Sequence, residues 1–133
     1  MNELALDAVG GRTVAEVMMT RPKVLAADAT VADARAVFAN PKVQTCPMLD
    51  ASGGLVAELA REQLSDSAAD DEPARGYASD EVETIAPDAP AQQALDRLAA
   101  MGGERLCVVD GDNRLAGLLC LNGRHNALCT DKA

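Results

Sequence analysis

The sequence predicts a mixed α+β fold made of two tandem β-α-β-β-α repeats. Three observations carry this reading. The chain aligns with itself without a gap at a shift of 60 positions. Each copy holds one stretch with apolar residues at helical spacing, and each holds two short apolar runs separated by a turn of Asp, Gly, Ser or Asn.

The duplication is visible residue by residue. Asp28-Ala29-Thr30-Val31 falls on Asp88-Ala89-Pro90-Ala91, Ala34 on Ala94, Ala39 on Ala99, and Asp50 on Asp110. Leu55 then meets Leu115 and Leu59 meets Leu119, while Phe38 lies over Leu98 and Met48-Leu49 over Val108-Val109.

In the first copy, Lys23-Val24-Leu25-Ala26 reads as a short strand. Thr30 can cap the helix that follows, with Asp33 completing a capping box and opposing the positive end of the helix dipole. Val31, Ala34, Val37 and Phe38 form its apolar face, and Asn40-Pro41 ends it, because proline disfavours helical geometry in the residue before it. Cys46-Pro47-Met48-Leu49 and Leu55 to Ala60 are strands flanking the turn Asp50-Ala51-Ser52-Gly53-Gly54. A closing helix is expected over about Arg61 to Ser67.

The second copy repeats the order. Glu83-Thr84-Ile85 is a strand, and Pro90 suits the first helical turn, where its missing N–H costs nothing. Ala91, Ala94, Leu95, Leu98 and Met101 line a helix face that ends at Gly102-Gly103. Arg105 to Val109 and Leu115 to Leu121 are strands around Asp110-Gly111-Asp112-Asn113-Arg114, and a last helix is expected to begin near Arg124 and His125. Ahead of the first copy, Thr13 to Met19 reads as a short lead-in helix. Residues 1–12 form an N-terminal tail, 13–67 the first repeat, 68–76 an acidic, solvated linker and 77–133 the second repeat.

Composition bounds the function. The net charge of −9 argues against nucleic acid and anionic membrane surfaces, whose binding depends on basic patches. Apolar residues make up 48% of the chain but the only aromatics are Phe38 and Tyr77, so the core must come from Ala, Val, Leu and Met. Cys46, Cys107, Cys120 and Cys129 form no close-set pair, so no metal site is expected; the first three read as buried thiols in apolar strands. The start of the chain lacks a signal-peptide pattern, and a reduced, cytoplasmic protein is expected. Neither a nucleophile-base arrangement nor a phosphate-binding glycine loop is present, so no catalytic residue is assigned and no enzyme is expected.

Val17-Met18-Met19-Thr20-Arg21-Pro22-Lys23-Val24, followed by Asp28 to Ala34, resembles the opening of a CBS (cystathionine-β-synthase-type) domain. Cys46 to Asp50 with Gly53 to Val56, and Val108 to Leu119, are similar to that family's strand-turn-strand segment, so the resemblance spans about residues 13 to 130. It implies a CBS-domain pair, or Bateman module, with pseudo-two-fold symmetry, homodimerisation, and clefts that hold adenosine-containing ligands such as AMP, ADP, ATP or S-adenosylmethionine. By position, the resemblance marks Thr20, Pro22, Val24, Pro47, Met48, Val108 and Gly117 as ligand-binding.

One departure bears on the ligand. The family pattern after the third strand runs from Gly to a Ser/Thr and then an Asp. In Gly117-Leu118-Leu119-Cys120-Leu121-Asn122-Gly123, Cys120 replaces the hydroxyl and Gly123 the carboxylate, and the first copy, Ala57 to Gln63, has none of the three. A hydrogen bond to a charged group contributes about 1.5–3 kcal/mol, so the missing carboxylate costs roughly tenfold to a hundredfold in affinity. No cofactor is therefore assigned with certainty. The expected function is a stand-alone regulatory or adaptor module acting through dimerisation and a protein partner; the alternative is a sensor binding an adenosine-type ligand weakly.

Overall fold

The computed structural model describes residues 2–103, 105–122 and 124–131. They form two compact units, one of residues 23–82 and one of residues 1–22 together with 83–133.

In the unit of residues 23–82, the strands β2 (Leu25–Ala26), β3 (Thr45–Leu49) and β4 (Leu55–Ala60) form one sheet in the order β2-β3-β4. β2 runs parallel to β3 with Leu25 beside Met48, and β4 runs antiparallel with Leu59 beside Cys46. The crossover from β2 to β3 is the helix α2 (Val31–Phe38), which a parallel pair requires. Its start is the predicted capping box: the Asp33 N–H donates to Thr30 Oγ1 at 3.3 Å and the Thr30 N–H to Asp33 Oδ2 at 3.0 Å. Val31, Ala34 and Phe38 are buried. The latter two pack with Leu25, Cys46, Met48, Ala57 and Leu59.

The other unit repeats this plan with β5 (Thr84–Ile85), β6 (Arg105–Val109), β7 (Leu115–Cys120) and the crossover helix α3 (Ala91–Met101). α3 stops at Gly102, whose φ of 65° is a left-handed conformation that glycine adopts without strain. Pro90 occupies the cap position rather than the first turn. Met101 does not belong to the buried face; it is 42% exposed, while Ala91, Ala94 and Leu98 carry the packing.

The turns between the paired strands correspond in detail. Asp50 Oδ1 accepts from the Ser52 hydroxyl at 2.7 Å and from the Ser52 and Gly54 N–H groups at 2.9 Å each, and Asp110 Oδ1 accepts from the Asp112 and Arg114 N–H groups. The Ser52 hydroxyl first, then the two N–H groups, hold the Asp50 carboxyl below the ordinary carboxylate value. The left-handed residue is Gly53 in one turn and Asn113 in the other, and Asn is among the few side chains that tolerate it.

The compact units do not follow the repeat boundaries. The lead-in of each repeat docks on the strands of the other. Thr13 bridges Pro90 and Met19 bridges Leu118; sixty positions away, Pro73 bridges Thr30 and Ser79 bridges Glu58. The hydrogen bonds correspond as well: the Val14 N–H donates to Ala89 O at 2.8 Å, and the Ala74 N–H to Ala29 O at 2.9 Å. The lead-in helix α1 (Val14–Val17) is thus part of the core that contains Ile85, Leu98, Leu106 and Leu119.

Three expectations need correction. The tail 1–12 includes strand β1 (Asn2–Ala5), which pairs antiparallel with β8 (Ala127–Thr130) from Asn2 beside Thr130 to Ala5 beside Ala127. Strand β8 stands where the last helix was expected, because β1 supplies a ladder partner and Leu128 is fully buried in this pairing. The helix expected over Arg61 to Ser67 is a single 3-10 turn, Arg61–Gln63, since the Ser65 hydroxyl turns back to the Ser67 N–H and breaks the helical run.

The acidic stretch 68–76 is largely exposed, and hydrogen bonds tie it to the start of α2. Asp70 O and Glu72 O accept from the Ala32 and Val31 N–H groups at 3.0 and 2.8 Å, satisfying donors that a helix start leaves unpaired. The Arg35 guanidinium pairs with Asp70 and donates to Ser65, Asp66 and Ala68 carbonyls.

Candidate functional site

The seven residues marked by resemblance fall in both units. Thr20, Pro22, Val108 and Gly117 lie in the unit with β5 to β7, and Val24, Pro47 and Met48 in the unit of residues 23–82. Val108 and Gly117 are cross-strand partners on β6 and β7. Pro47, Met48 and Val108 are fully buried, whereas Val24 is 40% exposed.

Gly117 is explained by close approach. A Cβ there would sit 2.4 Å from Met19 O, 2.6 Å from Met18 Sδ and 2.9 Å from Met18 Cγ. The lead-in therefore lies directly on the glycine, with the Met19 N–H donating to Leu118 O at 2.8 Å and the Leu118 N–H to Met19 O at 3.0 Å. At the equivalent place in the other unit, Ala57 stands for Gly117 and Ala78 for Met18. The methyl group added to the sheet is balanced by a smaller side chain on the lead-in.

Pro47 also has a local reason. Its partner Glu58 exchanges both main-chain hydrogen bonds with Ser79, at 2.9 and 3.0 Å. The side of Glu58 facing Pro47 is thus a non-hydrogen-bonded pair, where proline removes no ladder bond.

Cys120, in the place of the family hydroxyl, is buried, and its Sγ lies 3.6 Å from Leu121 O. Gly123, in the place of the carboxylate, lies outside the described residues. Glu62 is exposed in the 3-10 turn. Arg124 and His125 are not at a helix start; they belong to the turn before β8, where His125 has φ 57° and its N–H donates to Asn122 O at 3.0 Å. Cys46 donates to Lys23 O at 3.3 Å, and burial, reinforced by Glu58, pushes its thiol up to about 12, so it is unreactive. Cys107 is buried as expected. Among the described residues, no group of three His, Cys, Asp or Glu is placed to hold a metal ion, and no helix is long and apolar enough to cross a membrane.

Two residues outside the predicted set organise their surroundings. Arg61 donates to Phe38 O at 2.9 Å, Asn40 O at 2.8 Å and Val43 O at 2.6 and 3.1 Å, and stacks 5.2 Å over the Phe38 ring. With Arg35, Phe38, Ala39, Leu64, Ser65 and Asp66 it lines a cleft of about 240 Å³. Asp131 accepts from the Thr20 N–H, the Thr20 hydroxyl and the Arg21 N–H. No sequence motif signals this contact, because its partners are 110 and 111 positions apart.

Burial opposes the charge on Asp131, but the donors from Thr20 and Arg21 outweigh it and hold its carboxyl below the ordinary carboxylate value. The stability it contributes is therefore complete above the unfolded pKa of about 3.9 and is lost as pH falls through the lowered folded value. In urea unfolding, the gap between wild type and Asp131→Asn should be widest at neutral pH and close in acid. A gap that stays constant would contradict this.

Residues 74–122 match the family model for the CBS domain. The matched stretch begins within the second lead-in, at Ala74. In structure the chain is similar to an acetoin utilization protein, AcuB, from Vibrio cholerae, with 22% identity over 81% of this chain and 83% of that one and a TM-score of 0.74. It is similar to CBSX2 in complex with AMP at 23% identity, covering 86% and 93% of the two chains, with a TM-score of 0.75. The CBS domain pair of protein MJ0100, in complex with 5′-methylthioadenosine and S-adenosyl-L-methionine, matches at 16% identity over 81% and 88%, with a TM-score of 0.69. No curated protein matches the chain in sequence. The fold is that of the CBS-domain-pair proteins.

Proposed function

We propose that the chain is a regulatory or adaptor module of the CBS-pair type, without catalytic activity, which acts in the cytoplasm by dimerising and binding a protein partner. The observation that supports this reading is how the marked positions are used. Gly117 is covered by Met18 and Met19, and Pro47, Met48 and Val108 are buried in the sheets. Light scattering should give about twice the chain mass of 13.8 kDa. A monomer at tens of micromolar would overturn the dimer.

A second reading is favoured by the neighbours with AMP and with 5′-methylthioadenosine and S-adenosylmethionine. Under it, Thr20, Pro22, Val108 and Gly117 in one unit, and Val24, Pro47 and Met48 in the other, contribute contacts to adenosine-containing ligands, and Cys120 in place of a hydroxyl makes binding weak. A thermal scan separates the two. Ligand at a hundred times Kd adds about 2.7 kcal/mol, a rise of several degrees in Tm. A flat response to adenine nucleotides and S-adenosylmethionine supports the adaptor, and a saturable shift supports the sensor.

A further inference from the structure

The loop after α1 presents two consecutive main-chain donors to one anion. The Thr20 N–H reaches both carboxylate oxygens of Asp131 at 2.9 Å, the Arg21 N–H reaches Oδ2 at 2.6 Å, and the Thr20 hydroxyl reaches Oδ1 at 3.0 Å. Successive N–H groups converging on a point form a concave donor cluster of the type that holds oxyanions. Here the oxyanion is the chain's own, carried just beyond the last residue of β8, whose Thr130 pairs with Asn2 of β1.

The fold itself does not demand this arrangement. In the equivalent loop of the other repeat, Asp80 and Glu81 replace Thr20 and Arg21, and the Glu81 N–H donates at 3.3 Å to the Ser79 hydroxyl within the loop. That lead-in docks through the same bridges, and among the described residues no distant carboxylate lies on its loop donors. The donor cluster at Thr20 and Arg21 is thus an addition to one repeat. Thr20 and Arg21 are both exposed, so the cluster lies where a small solute can reach it.

We propose that the Thr20–Arg21 donor cluster is a binding site for the phosphate or carboxylate group of a small ligand, and that Asp131 is a tethered competitor which that ligand must displace. A short tether gives the competing carboxylate an effective concentration on the order of millimolar or more. A free oxyanion of comparable intrinsic affinity is then held off, and losing the competitor raises its apparent affinity by about tenfold or more.

The test uses the full chain labelled with ¹⁵N and inorganic phosphate as the probe. In Asp131→Ala, the Thr20 and Arg21 amide resonances should shift saturably, at a half-saturation about tenfold lower than in wild type. Equal half-saturation in the two proteins, or no movement of these two resonances, overturns the proposal. The Leu4 and Leu128 resonances report whether β1 and β8 stay paired. If they do not in Asp131→Ala, Asp131→Asn supplies the decision: it keeps one carbonyl acceptor, and a gain of several-fold is expected with the strands intact. No gain there overturns the proposal as well. The partner-binding reading stands or falls separately, on particle mass.

Discussion

Gly117→Ala is expected to destabilise the chain by about 3 kcal/mol, the upper end of the range for overpacking a buried site. The clash differs from an ordinary crowded side chain. Met18 Sδ and Cγ, at 2.6 and 2.9 Å from the added carbon, belong to a flexible side chain that can rotate away. Met19 O, at 2.4 Å, is main chain and accepts the Leu118 N–H. Relief requires the lead-in to lift from β7, which lengthens both bonds of the Met19–Leu118 bridge and loosens Val14 and Val17 from their core. Met18→Ala alone should cost roughly 2 kcal/mol for the lost packing. Combined with Gly117→Ala it should cost less than the two added together, because the other unit accommodates Ala57 beneath Ala78. Urea unfolding of the four proteins closes the cycle. Strict additivity, or a loss under about 0.5 kcal/mol for Gly117→Ala, would contradict the close approach.

Arg61→Ala is expected to cost about 2–3 kcal/mol. Its guanidinium donates to the carbonyls of Phe38, Asn40 and Val43, around the end of α2 and the turn after it, and places a cation at the negative end of that helix. Each hydrogen bond to a charged group contributes about 1.5–3 kcal/mol, reduced here because the site borders solvent. Arg61→Lys should recover less than half, since a single ammonium cannot span three carbonyls held by a planar fork. Chemical denaturation reads both; equal stability of the Lys variant and wild type would show that charge alone suffices.

Much of the architecture was legible in the residues. The 60-position shift, the capping box of Thr30 and Asp33, the stop at Gly102 and the Asp50 and Asp110 turns depend on local chemistry that a short window displays. The exchange of lead-ins was not legible. A duplicated sequence gives each lead-in two similar sheets to dock on, and what distinguishes them is volume, with Met18 suited to Gly117 and Ala78 to Ala57. The absence of a helix after Gln63 turns on Ser65 bonding Ser67, and β8 depends on β1, more than a hundred positions away. Of the candidate site, the positions were named but not their surroundings. Burial of Pro47 and Val108 follows from tertiary packing, and Asp131 meets Thr20 only through the folded chain.

The exchanged lead-ins impose an order on birth. Residues 23–82 contain both partners of every bridge they use, so that unit can close while the rest is still being translated. Met19 has no such option: its partner Leu118 leaves the ribosome about a hundred residues later, a delay of roughly 5–20 s at ordinary elongation rates. During that interval Val14, Val17 and Met18 are an uncovered apolar strip beside a finished neighbour, and the nascent chain must keep that strip from sticking until β7 arrives.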